Sequence, residues 1–527
     1  MLIYFVIVPV LLAIIMYLLH FEKAGKYVVI VSQVALLVAA FYLLIASRES
    51  PLITIVGGYE SLMGIVLRAD AVSAVFVLLT ALLFLIAVIY SFYESHGRLY
   101  WLLMLIWQGL LNGIFLSGDF FNLFVLVEVA TVLVTIMLLY DKKKRSMYDG
   151  LFYLMTNIFV VQFYLFGIGY LYRLTGVMDM ETARLAISFL DSGQLLLPYA
   201  LIMTFLIFKC AQVPLFSWLP KAYGTDGIPV SALAILSGVH IKSSLYLFIR
   251  FQSVFENVLL VFQEGIFFLA LGSATALFGI LMALAQRDIR LILAYSSVAQ
   301  MGLLIVGFSI GGVYTDIGSL YHMLNHALLK AGLFLSVGVI AKAYGSYNIN
   351  EIRGLFKCMP FVSVATILMI LGMTGAPLLN GSISKYLIMY ELEWPLFALL
   401  LLINTGTIIV FVKYAAMFFG KTAVIKAKIE NCKAASLFAL GLLALAGGIF
   451  GEWSVSFLFN VEVYISPWGY LEKVGIFAAS CFFAFFLYKD LFKRSHLLKR
   501  LEGFELGFRG ACASIGIFFG IILLSLN

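Results

Sequence analysis

Runs of about 20 apolar residues, each long enough to cross a bilayer as an α-helix, recur along the chain between short polar segments. The pattern predicts an all-α integral membrane protein with 16 transmembrane helices, 14 being the lower bound. The first run, 2–19, lacks a basic leading end and a small-residue cleavage site, which favours a transmembrane helix over a signal peptide. The predicted helices cover residues 1–19, 27–46, 66–92, 99–117, 120–140, 149–172, 195–217, 229–251, 259–284, 290–310, 314–342, 359–390, 396–419, 433–450, 472–489 and 508–526.

Composition supports this picture and excludes several other classes of protein. Of the 527 residues, 63% are hydrophobic and 12% are charged, whereas soluble domains carry roughly 25% charged residues. A sizeable soluble domain is therefore not expected. The five cysteines form no C-x-x-C pair, so neither a disulfide framework nor a metal site is indicated. The net charge of +7 is interpreted as a topology signal rather than a nucleic-acid-binding surface, and the lipid bilayer is the expected environment.

Basic residues are distributed unequally between the loops, and this predicts the orientation of the chain. Loops that follow odd-numbered predicted helices carry 22 Lys and Arg, including clusters at 142–145 and 489–500. Loops that follow even-numbered helices carry six. Because cytoplasmic loops are enriched in Lys and Arg, both termini are expected to face outward.

Predicted helices 7 and 12 each contain a proline close to a lysine. Helix 7 reads FKCAQVPLFSWLP, with Lys209 and Pro214, and helix 12 reads GAPLLNGSISK, with Pro377 and Lys385. Proline breaks a helix, and a membrane tolerates the break only where protein or a water-filled cavity satisfies the freed backbone groups. Two breaks five helices apart predict repeated five-helix units around a transport site, without showing whether the units are inverted. The predicted divisions are 1–94 for helices 1–3, 95–252 for the first repeat, 253–425 for the second and 426–527 for the C-terminal helices.

Several titratable side chains fall within predicted helices, where each charge costs about a few kcal/mol to insert and usually marks an ion pathway. Desolvation favours a neutral lysine and a nearby carboxylate favours the ammonium form, so a glutamate and a lysine on neighbouring helices can act as a proton-loading switch. The candidates are Glu128 in predicted helix 5, Lys209 in helix 7, Lys242 in helix 8, Lys330 in helix 11 and Lys385 in helix 12.

Structural roles are the alternative for these groups. A lysine and a glutamate can form a static ion pair, although one carboxylate neutralises four lysines poorly. A lysine near a helix end can extend its amine to the interface, which is the arrangement expected for Lys413. His240 lies two positions from Lys242 and therefore on another face, so it is either a satisfied core histidine or, like Lys413, an accessory group.

A stripe of titratable groups follows one face of predicted helix 11. His322, His326 and Lys330 recur every fourth residue in YHMLNHALLKAGLFL. Four residues advance a helix by about 40° beyond a full turn, which gives a stripe roughly 12 Å long. Histidine titrates near neutral pH, so the stripe can carry protons along the membrane. Two alternatives stay open: a metal site, which lacks a clear third ligand and would face repulsion from Lys330, and ordinary interhelical hydrogen bonds.

Six longer motifs extend across predicted helices 3–12: DAVSAVFVLL (70–79), GDFFNLFVLVEVATVLV (118–134), KCAQVPLFSWLPKAYGTDGIPVSAL (209–233), RDIRLILAYSSVAQMG (287–302), HMLNHALLKAGLFL (322–335) and GAPLLNGSISKYL (375–387). In order and placement, they resemble the antiporter-like subunits shared by Mrp-type Na⁺/H⁺ antiporters, archaeal membrane-bound hydrogenases with related respiratory complexes, and complex I. The D-type Mrp subunit and the M- and N-like subunits, with two extra C-terminal helices, resemble this chain more than the largest subtype with its lateral helix.

The resemblance implies two inverted five-helix repeats, each with a half-channel, joined by a polar axis at mid-membrane. Lys221 after SWLP, where relatives often carry an acidic residue, and Ile228-Pro229 in place of Thr-Pro are departures that affect the loop contacts. The proton path that the resemblance implies comprises Glu128, Lys209, Lys242, His322, His326, Lys330 and Lys385, with Pro214 and Pro377 at the helix breaks.

The buried charges and the resemblance together predict a proton-translocating subunit of a multisubunit, redox-driven ion pump in the plasma membrane of a prokaryote. Other membrane subunits are the expected partners, and H⁺ is the expected ion, with Na⁺ as a second candidate. No catalytic, cofactor-binding or metal-binding residue is expected in this chain; iron–sulfur or nickel–iron centres would belong to partner subunits. The alternatives are a subunit of a dedicated Mrp-type antiporter without redox chemistry and a structural membrane anchor.

Overall fold

Helices account for most of the described part of the chain. In it, 14 helices are long and apolar enough to cross a membrane, which confirms the prediction of an all-α membrane protein. Two shorter apolar helices, Tyr4–Leu18 and Pro360–Thr374, lie where predicted helices 1 and 12 begin, and the total of 16 crossings stays a prediction. The computed structural model describes residues 1–19, 24–58, 64–256, 264–421, 429–493 and 495–525.

The helices of the described residues are numbered here in chain order. A π-helical turn at Leu236–His240 lies within α10, and another at Tyr488–Phe492 follows α20. The helices are α1 (Tyr4–Leu18), α2 (Ala24–Ala46), α3 (Ala71–Tyr90), α4 (Arg98–Leu116), α5 (Phe120–Leu138), α6 (Lys144–Thr175), α7 (Met180–Ile187), α8 (Ser192–Lys209), α9 (Trp218–Gly224), α10 (Val230–Val254), α11 (Glu264–Ala285), α12 (Ile289–Ile310), α13 (Val313–Tyr344), α14 (Leu355–Cys358), α15 (Pro360–Thr374), α16 (Asn380–Ile388), α17 (Trp394–Ala415), α18 (Asn431–Ile449), α19 (Gly451–Phe459), α20 (Pro467–Leu487), α21 (His496–Leu501) and α22 (Phe508–Ser525).

The helix α13 is the centre of the bundle. It packs against α10, α12, α15, α16 and α18, so its polar side chains face protein rather than lipid. A helix that must be enclosed on all sides can carry polar groups wherever a neighbouring helix offers a partner. In contrast, α20 and α22 lie at the rim, where α20 packs on α17 and α22 packs on α6 and α8.

A β-hairpin precedes α3 and corrects the predicted start of helix 3 at residue 66. The strand β1 (Leu52–Val56) pairs antiparallel with β2 (Ile65–Ala69), both rich in the β-branched residues that favour strands. The helix begins only after Asp70, whose carboxylate accepts a hydrogen bond from the Ser73 N–H at 2.9 Å in a capping box. This cap fixes the boundary between strand and helix.

Other differences concern short helices and helix ends. The segment 451–469, which no predicted helix covers, contains the separate short helix α19. Predicted helix 15 starts at residue 472, but α20 starts at Pro467, so Lys473 lies in the second turn of the helix and not at its end. The expected start of helix 9 at 259–263, the basic residues 426 and 428 and the division at 425/426 lie outside the described residues.

Both predicted broken helices contain a non-helical segment. The helix α8 ends at Lys209, and Pro214 lies between α8 and α9. The helix α15 ends at Thr374, and Pro377 lies between α15 and α16. Each segment holds a non-glycine residue in the left-handed region, Ala211 at φ +52° and Leu378 at φ +66°. Such conformations cost about 1–3 kcal/mol and are found where the surrounding structure imposes them, often at functional sites.

An ion-pair cluster joins the loop between α3 and α4 to the start of α18. The carboxylate of Glu94 lies 2.8 Å from Lys433 Nζ and 2.8 Å from His96 Nε2. Burial alone would raise the pKa of Glu94, but the hydrogen bonds from His96 and Lys433 outweigh it and lower the pKa to about 2. The ionised form of Glu94 is therefore preferred in the folded protein.

We expect Glu94→Gln to lower the thermal stability of the protein in detergent at pH 7, because the ionised Glu94 stabilises the fold above its unfolded pKa of 4.5. The difference in melting temperature between wild type and variant should shrink as the pH falls from about 4.5 towards 2. The exposed Glu49→Gln is the matched control and should melt like wild type at every pH. A Glu94→Gln deficit that is the same at all pH values would contradict this account.

Candidate functional site

Lys209 lies at the last position of α8, with its amine buried against α5 and α6. Its Nζ donates to Thr131 Oγ1 at 3.0 Å and to Asn157 Oδ1 at 2.6 Å. Because α8 ends at Lys209, no further turn of α8 covers this side chain, and its amine binds oxygens on two neighbouring helices. Sequence reasoning missed Thr131 and Asn157, although each is a hydrogen-bonding residue within an otherwise apolar run.

Glu128 lies one turn before Thr131 on α5 and is half-buried. Its Oε2 is buried and has no hydrogen-bond partner within the described residues. Glu128 lies near Lys209, because Thr131, one turn further along α5, accepts a hydrogen bond from the Lys209 amine, but Glu128 itself does not bind the amine in the described residues. The two groups therefore interact through space and keep separate hydrogen-bonding environments.

The π-helical turn of α10 organises His240 and Lys242. Lys242 Nζ donates to the Ser237 carbonyl at 2.5 Å, five residues earlier on the same helix. His240 points elsewhere: the Trp107 indole N–H donates to its Nδ1 at 3.4 Å, and its Nε2 lies 3.5 Å from the Tyr153 hydroxyl. Such π-turns often occur at functional sites because they redirect neighbouring side chains. His240 therefore contacts α4 and α6, whereas the Lys242 amine binds a carbonyl of its own helix.

His322 makes two hydrogen bonds that connect three helices. Its Nε2 donates to Gln300 Oε1 at 2.8 Å, and its Nδ1 lies 2.9 Å from Ser384 Oγ. The amide nitrogen of Gln300 donates to Thr407 Oγ1 at 3.0 Å, so the amide oxygen is the atom that faces His322. In the neutral form of His322, Ser384 donates to Nδ1; in the protonated form, Nδ1 donates to Ser384.

His326 is fully buried next to His322. The two rings are nearly parallel, with an interplanar angle of 21°, and their centroids are 6.4 Å apart. Neither ring nitrogen of His326 has a hydrogen-bond partner among the residues that the structure describes. A buried polar group without a partner is costly, and ordered water is the usual way to satisfy it. His326 therefore marks a point in the bundle where water would be expected.

Lys330 and Lys385 continue the buried series on either side of the two histidines. Lys330 Nζ donates to the Leu293 carbonyl at 2.8 Å and to the Ser296 hydroxyl, both on α12. Lys385 Nζ donates to the Met373 carbonyl at 2.7 Å, at the end of α15, and to an amide oxygen on α17 at 2.6 Å, that of Asn404. The break between α15 and α16 leaves the Met373 carbonyl free to accept this bond.

Lys413 lies near the end of α17, as predicted, but its side chain is buried against protein. It is 8% exposed, and its amine donates to three carbonyls near the end of α11. Two of these bonds reach the Ala283 carbonyl at 3.5 Å and the Leu284 carbonyl at 2.7 Å, and the third reaches the Gln286 carbonyl. These contacts are those of a helix C-terminal cap.

Lys221, which lies where relatives often carry an acidic residue, forms an ion pair with the C-terminal part of the chain. Lys221 is buried, and its Nζ lies 2.9 Å from a carboxylate oxygen of Glu505. Its ammonium also lies over the rings of Tyr148 and Phe152, at 5.3 and 5.0 Å from their centroids. The segment between α21 and α22 thus supplies the negative charge beside the first break.

The metal alternative for His322 and His326 has no further ligand in the structure. Within the described ranges, no group of three or more His, Cys, Asp or Glu side chains could hold a metal ion. Both ring nitrogens of His322 already have partners on other helices. The geometry therefore favours interhelical hydrogen bonds for His322, whereas His326 keeps both nitrogens free to bind water.

Five of the buried lysines donate hydrogen bonds to uncharged oxygens: Lys209, Lys242, Lys330, Lys385 and Lys413. Unlike Lys221, none of these five forms an ion pair in the described part of the chain; each donates instead to a carbonyl, hydroxyl or amide oxygen. Such an acceptor carries no countercharge, so it tolerates both the ammonium and the amine form of a lysine. The arrangement can therefore hold a proton at several positions without fixing it at any of them.

Residues 117–411 match the family model described as NADH:quinone oxidoreductase/Mrp antiporter, transmembrane. The chain belongs to this family. It is an antiporter-like, multi-pass membrane subunit, as the motifs predicted. The matched residues include α5–α16 and nearly all of α17, and they contain all of the path candidates from Glu128 to Lys385.

Relatives come from two kinds of complex. The chain is 31% identical over 450 residues to the N-type subunit of NADH-quinone oxidoreductase from Desulforudis audaxviator, covering 80% of this chain and 88% of that one. It is 28% identical over 395 residues to the D-type subunit of the Na⁺/H⁺ antiporter from Alkalihalophilus pseudofirmus, covering 72% and 79%. In fold, it is similar to a chain of the membrane-bound sulfane sulfur reductase, an archaeal respiratory membrane complex, with a TM-score of 0.81, 23% identity and coverage of 91% and 98%.

Proposed function

We propose that this chain is the proton-translocating membrane subunit of a multisubunit, redox-driven ion pump. The observation that carries the proposal is the series of buried amines and imidazoles that begins at Lys209 beside α5 and ends at Lys385 beside α17. Structural lysines in a membrane bundle would be expected to pair with carboxylates, whereas these bind neutral oxygens. Groups of this kind can exchange protons at a low cost in local charge.

The proposed path has an entry half and a release half. Glu128 controls the charge of Lys209, because loss or gain of a proton at the carboxyl changes the stability of the nearby ammonium. Lys242 and the two histidines of α13 then connect Lys209 to Lys385. Lys330 lies beside this connection and acts electrostatically on His326.

Two structurally similar units support the assignment of two half-channels. The helices α6 and α13 each have 32 residues and each end at a left-handed glycine. Isolated backbone bridges join Asp119 to Asp179 in the first unit and Asp288 to Asn348 in the second, with the same sequence separation in both. With the five membrane crossings predicted for each unit, an odd number, the second would enter from the opposite side. We therefore infer inverted repeats, with the boundaries predicted above.

The proposal includes partners and orientation. The N-type and D-type relatives are, by their names, subunits of larger complexes, so other membrane subunits would flank this chain in the same way. Redox centres would lie in those partners. The distribution of basic residues supports termini that face outward from a prokaryotic plasma membrane. The exit at Lys385 would then open towards the outer face, where the loop between α16 and α17 lies.

A dedicated Na⁺/H⁺ antiporter is the second candidate, and the similarity to the D-type antiporter subunit favours it. The same buried groups would serve either complex, since the machinery in this chain moves ions and the energy source lies elsewhere. A purely structural anchor is the third candidate, but it does not explain why the lysines of the path lack countercharges in the described residues.

We expect Lys209→Ala and Glu128→Ala each to abolish coupled proton movement while the complex still assembles. Lys209→Ala removes the buried proton acceptor, and Glu128→Ala removes the charge that controls it. The measurement is formation of a pH gradient by the purified complex in vesicles. The exposed Lys142→Ala serves as the control for loss of a lysine. Normal gradients in both variants would exclude the conduction path.

The metal content of the intact complex distinguishes the first two candidates. We expect the complex purified through this chain to contain iron–sulfur clusters in co-purifying subunits, with nickel if the partner is a hydrogenase. The iron and nickel content is measured by elemental analysis of the purified complex, together with identification of its subunits. A complete, transport-active complex without iron would assign the chain to a dedicated antiporter instead.

A further inference from the structure

The helix α20 packs on the second helix break, although it lies beyond the residues that match the family model. The Leu378 N–H, within the break, donates to the Tyr470 hydroxyl at 3.0 Å, and the Ser382 hydroxyl donates to the same oxygen at 3.3 Å. Tyr470 therefore satisfies a backbone donor that the missing helical turn has freed. The first turn of α20 is thus part of the wall around Lys385.

The contact between α20 and α16 is close at one glycine. A Cβ at Gly469 would lie 2.8 Å from the Tyr386 hydroxyl, so a side chain at this position would push the two helices apart. Tyr386 is the residue directly after Lys385. Lys473 lies four residues after Gly469 and three after Tyr470, so it neighbours both of them on the face of α20 that meets the break.

Lys473 occupies this face without a fixed hydrogen-bond partner. Its Nζ is buried and makes no hydrogen bond in the part of the chain that the structure describes. The amine lies 5.2 Å from the centroid of the Tyr386 ring, a cation–π distance. Its charge interacts with that of Lys385, so the two amines are close enough to repel each other when both are protonated.

A cavity of about 180 Å³ connects the two lysines to the surface. Lys385 and its acceptor Asn404 line the inner part together with Lys473, and the exposed carboxylates of Glu391 and Glu472 also line it. The volume is large enough for several water molecules, and the walls offer them polar partners. Lys385 and Lys473 therefore line one cavity whose exposed part carries negative charge.

We propose that Lys473 is a further proton-carrying group, located at the outlet of the path and supplied by a helix outside the two repeats. The inference rests on the proposed function. A proton leaves the Lys385 ammonium, which becomes a neutral amine, and binds the Lys473 amine, directly or through water, which becomes an ammonium. Lys473 then releases the proton to water at the cavity mouth and returns to the neutral amine. One proton moves and no other bond changes.

The different surroundings of the two lysines make Lys473 a transient site for the proton. Lys385 has two oxygen acceptors that hold an ammonium, whereas Lys473 has only the face of an aromatic ring among the described residues. A ring can stabilise a transient ammonium without providing a fixed acceptor, so the proton is readily passed on. Repulsion within the shared cavity also disfavours two protonated lysines at once, which couples arrival of a new proton at Lys385 to release from Lys473.

The test compares Lys473→Met, Lys473→Arg and Lys473→His in the intact complex reconstituted in vesicles, with formation of a pH gradient as the readout. Lys473→Met keeps the apolar stem and should lower the rate of proton transport about tenfold. This effect is smaller than the roughly hundredfold loss typical of a removed proton-transfer group, because water in the cavity partly replaces Lys473. Arginine keeps the charge but does not release its proton, so Lys473→Arg should be equally slow. Histidine titrates and should restore part of the rate.

Lys489→Met, an exposed lysine in the π-helical turn after α20, is the matched control and should transport like wild type. Wild-type rates in Lys473→Met or in Lys473→Arg would overturn the inference, the second because packing and charge alone would then suffice. If Lys209→Ala also transports normally, the proposed function itself fails. If Lys209→Ala is inactive while Lys473→Met is fully active, only the role of Lys473 is refuted.

Discussion

Buried lysines that bind neutral oxygens are the constraint on which the rest of this structure depends. An amine in a low-dielectric bundle needs acceptors, and a carboxylate would fix it in the ammonium form. Here, the acceptors of Lys242, Lys330 and Lys385 include backbone carbonyls, and that of Lys242 belongs to a π-helical turn. Irregular helix segments therefore supply an acceptor for Lys242 and for Lys385, whereas Lys209 and Lys330 use oxygens of uninterrupted helices.

The cost of these interruptions is met by packing from several directions. Ala211 and Leu378 hold left-handed conformations that isolated chains disfavour; Ala211 is fully buried in the bundle, whereas the side chain of Leu378 is exposed. At the second break, the Leu378 N–H donates a hydrogen bond to the hydroxyl of Tyr470 on α20, a helix outside the repeats. The C-terminal helices thus do more than cover lipid-facing surface. They complete the environment of Lys385, and a C-terminal loop places Glu505 beside Lys221 near the first break.

Much of this site could be predicted from the sequence, because a charge or a proline within a 20-residue apolar run has few structural explanations. Lys209, Lys385 and the stripe on α13 all lie inside the bundle as the pattern indicated. Their acceptors could not be predicted, because residues such as Thr131 and Asn157 occur in many membrane helices simply for packing. Lys473 was missed because the predicted helix started at residue 472, which placed this lysine at the helix end, where it was counted with the basic residues of the loop. The predicted start of helix 3 is wrong because the capping box of Asp70 and Ser73, which marks the true start, was not used.

The continuity of the path between its two halves is the central claim of this account, and His326 is its most demanding point. An experimental map of the intact complex, at a resolution that shows ordered water, tests this claim most directly. We predict water bound to both ring nitrogens of His326, linked on one side towards Lys242 and on the other towards His322 and Lys385. A dry, closely packed His326 with no water on either nitrogen would contradict a proton path through α13.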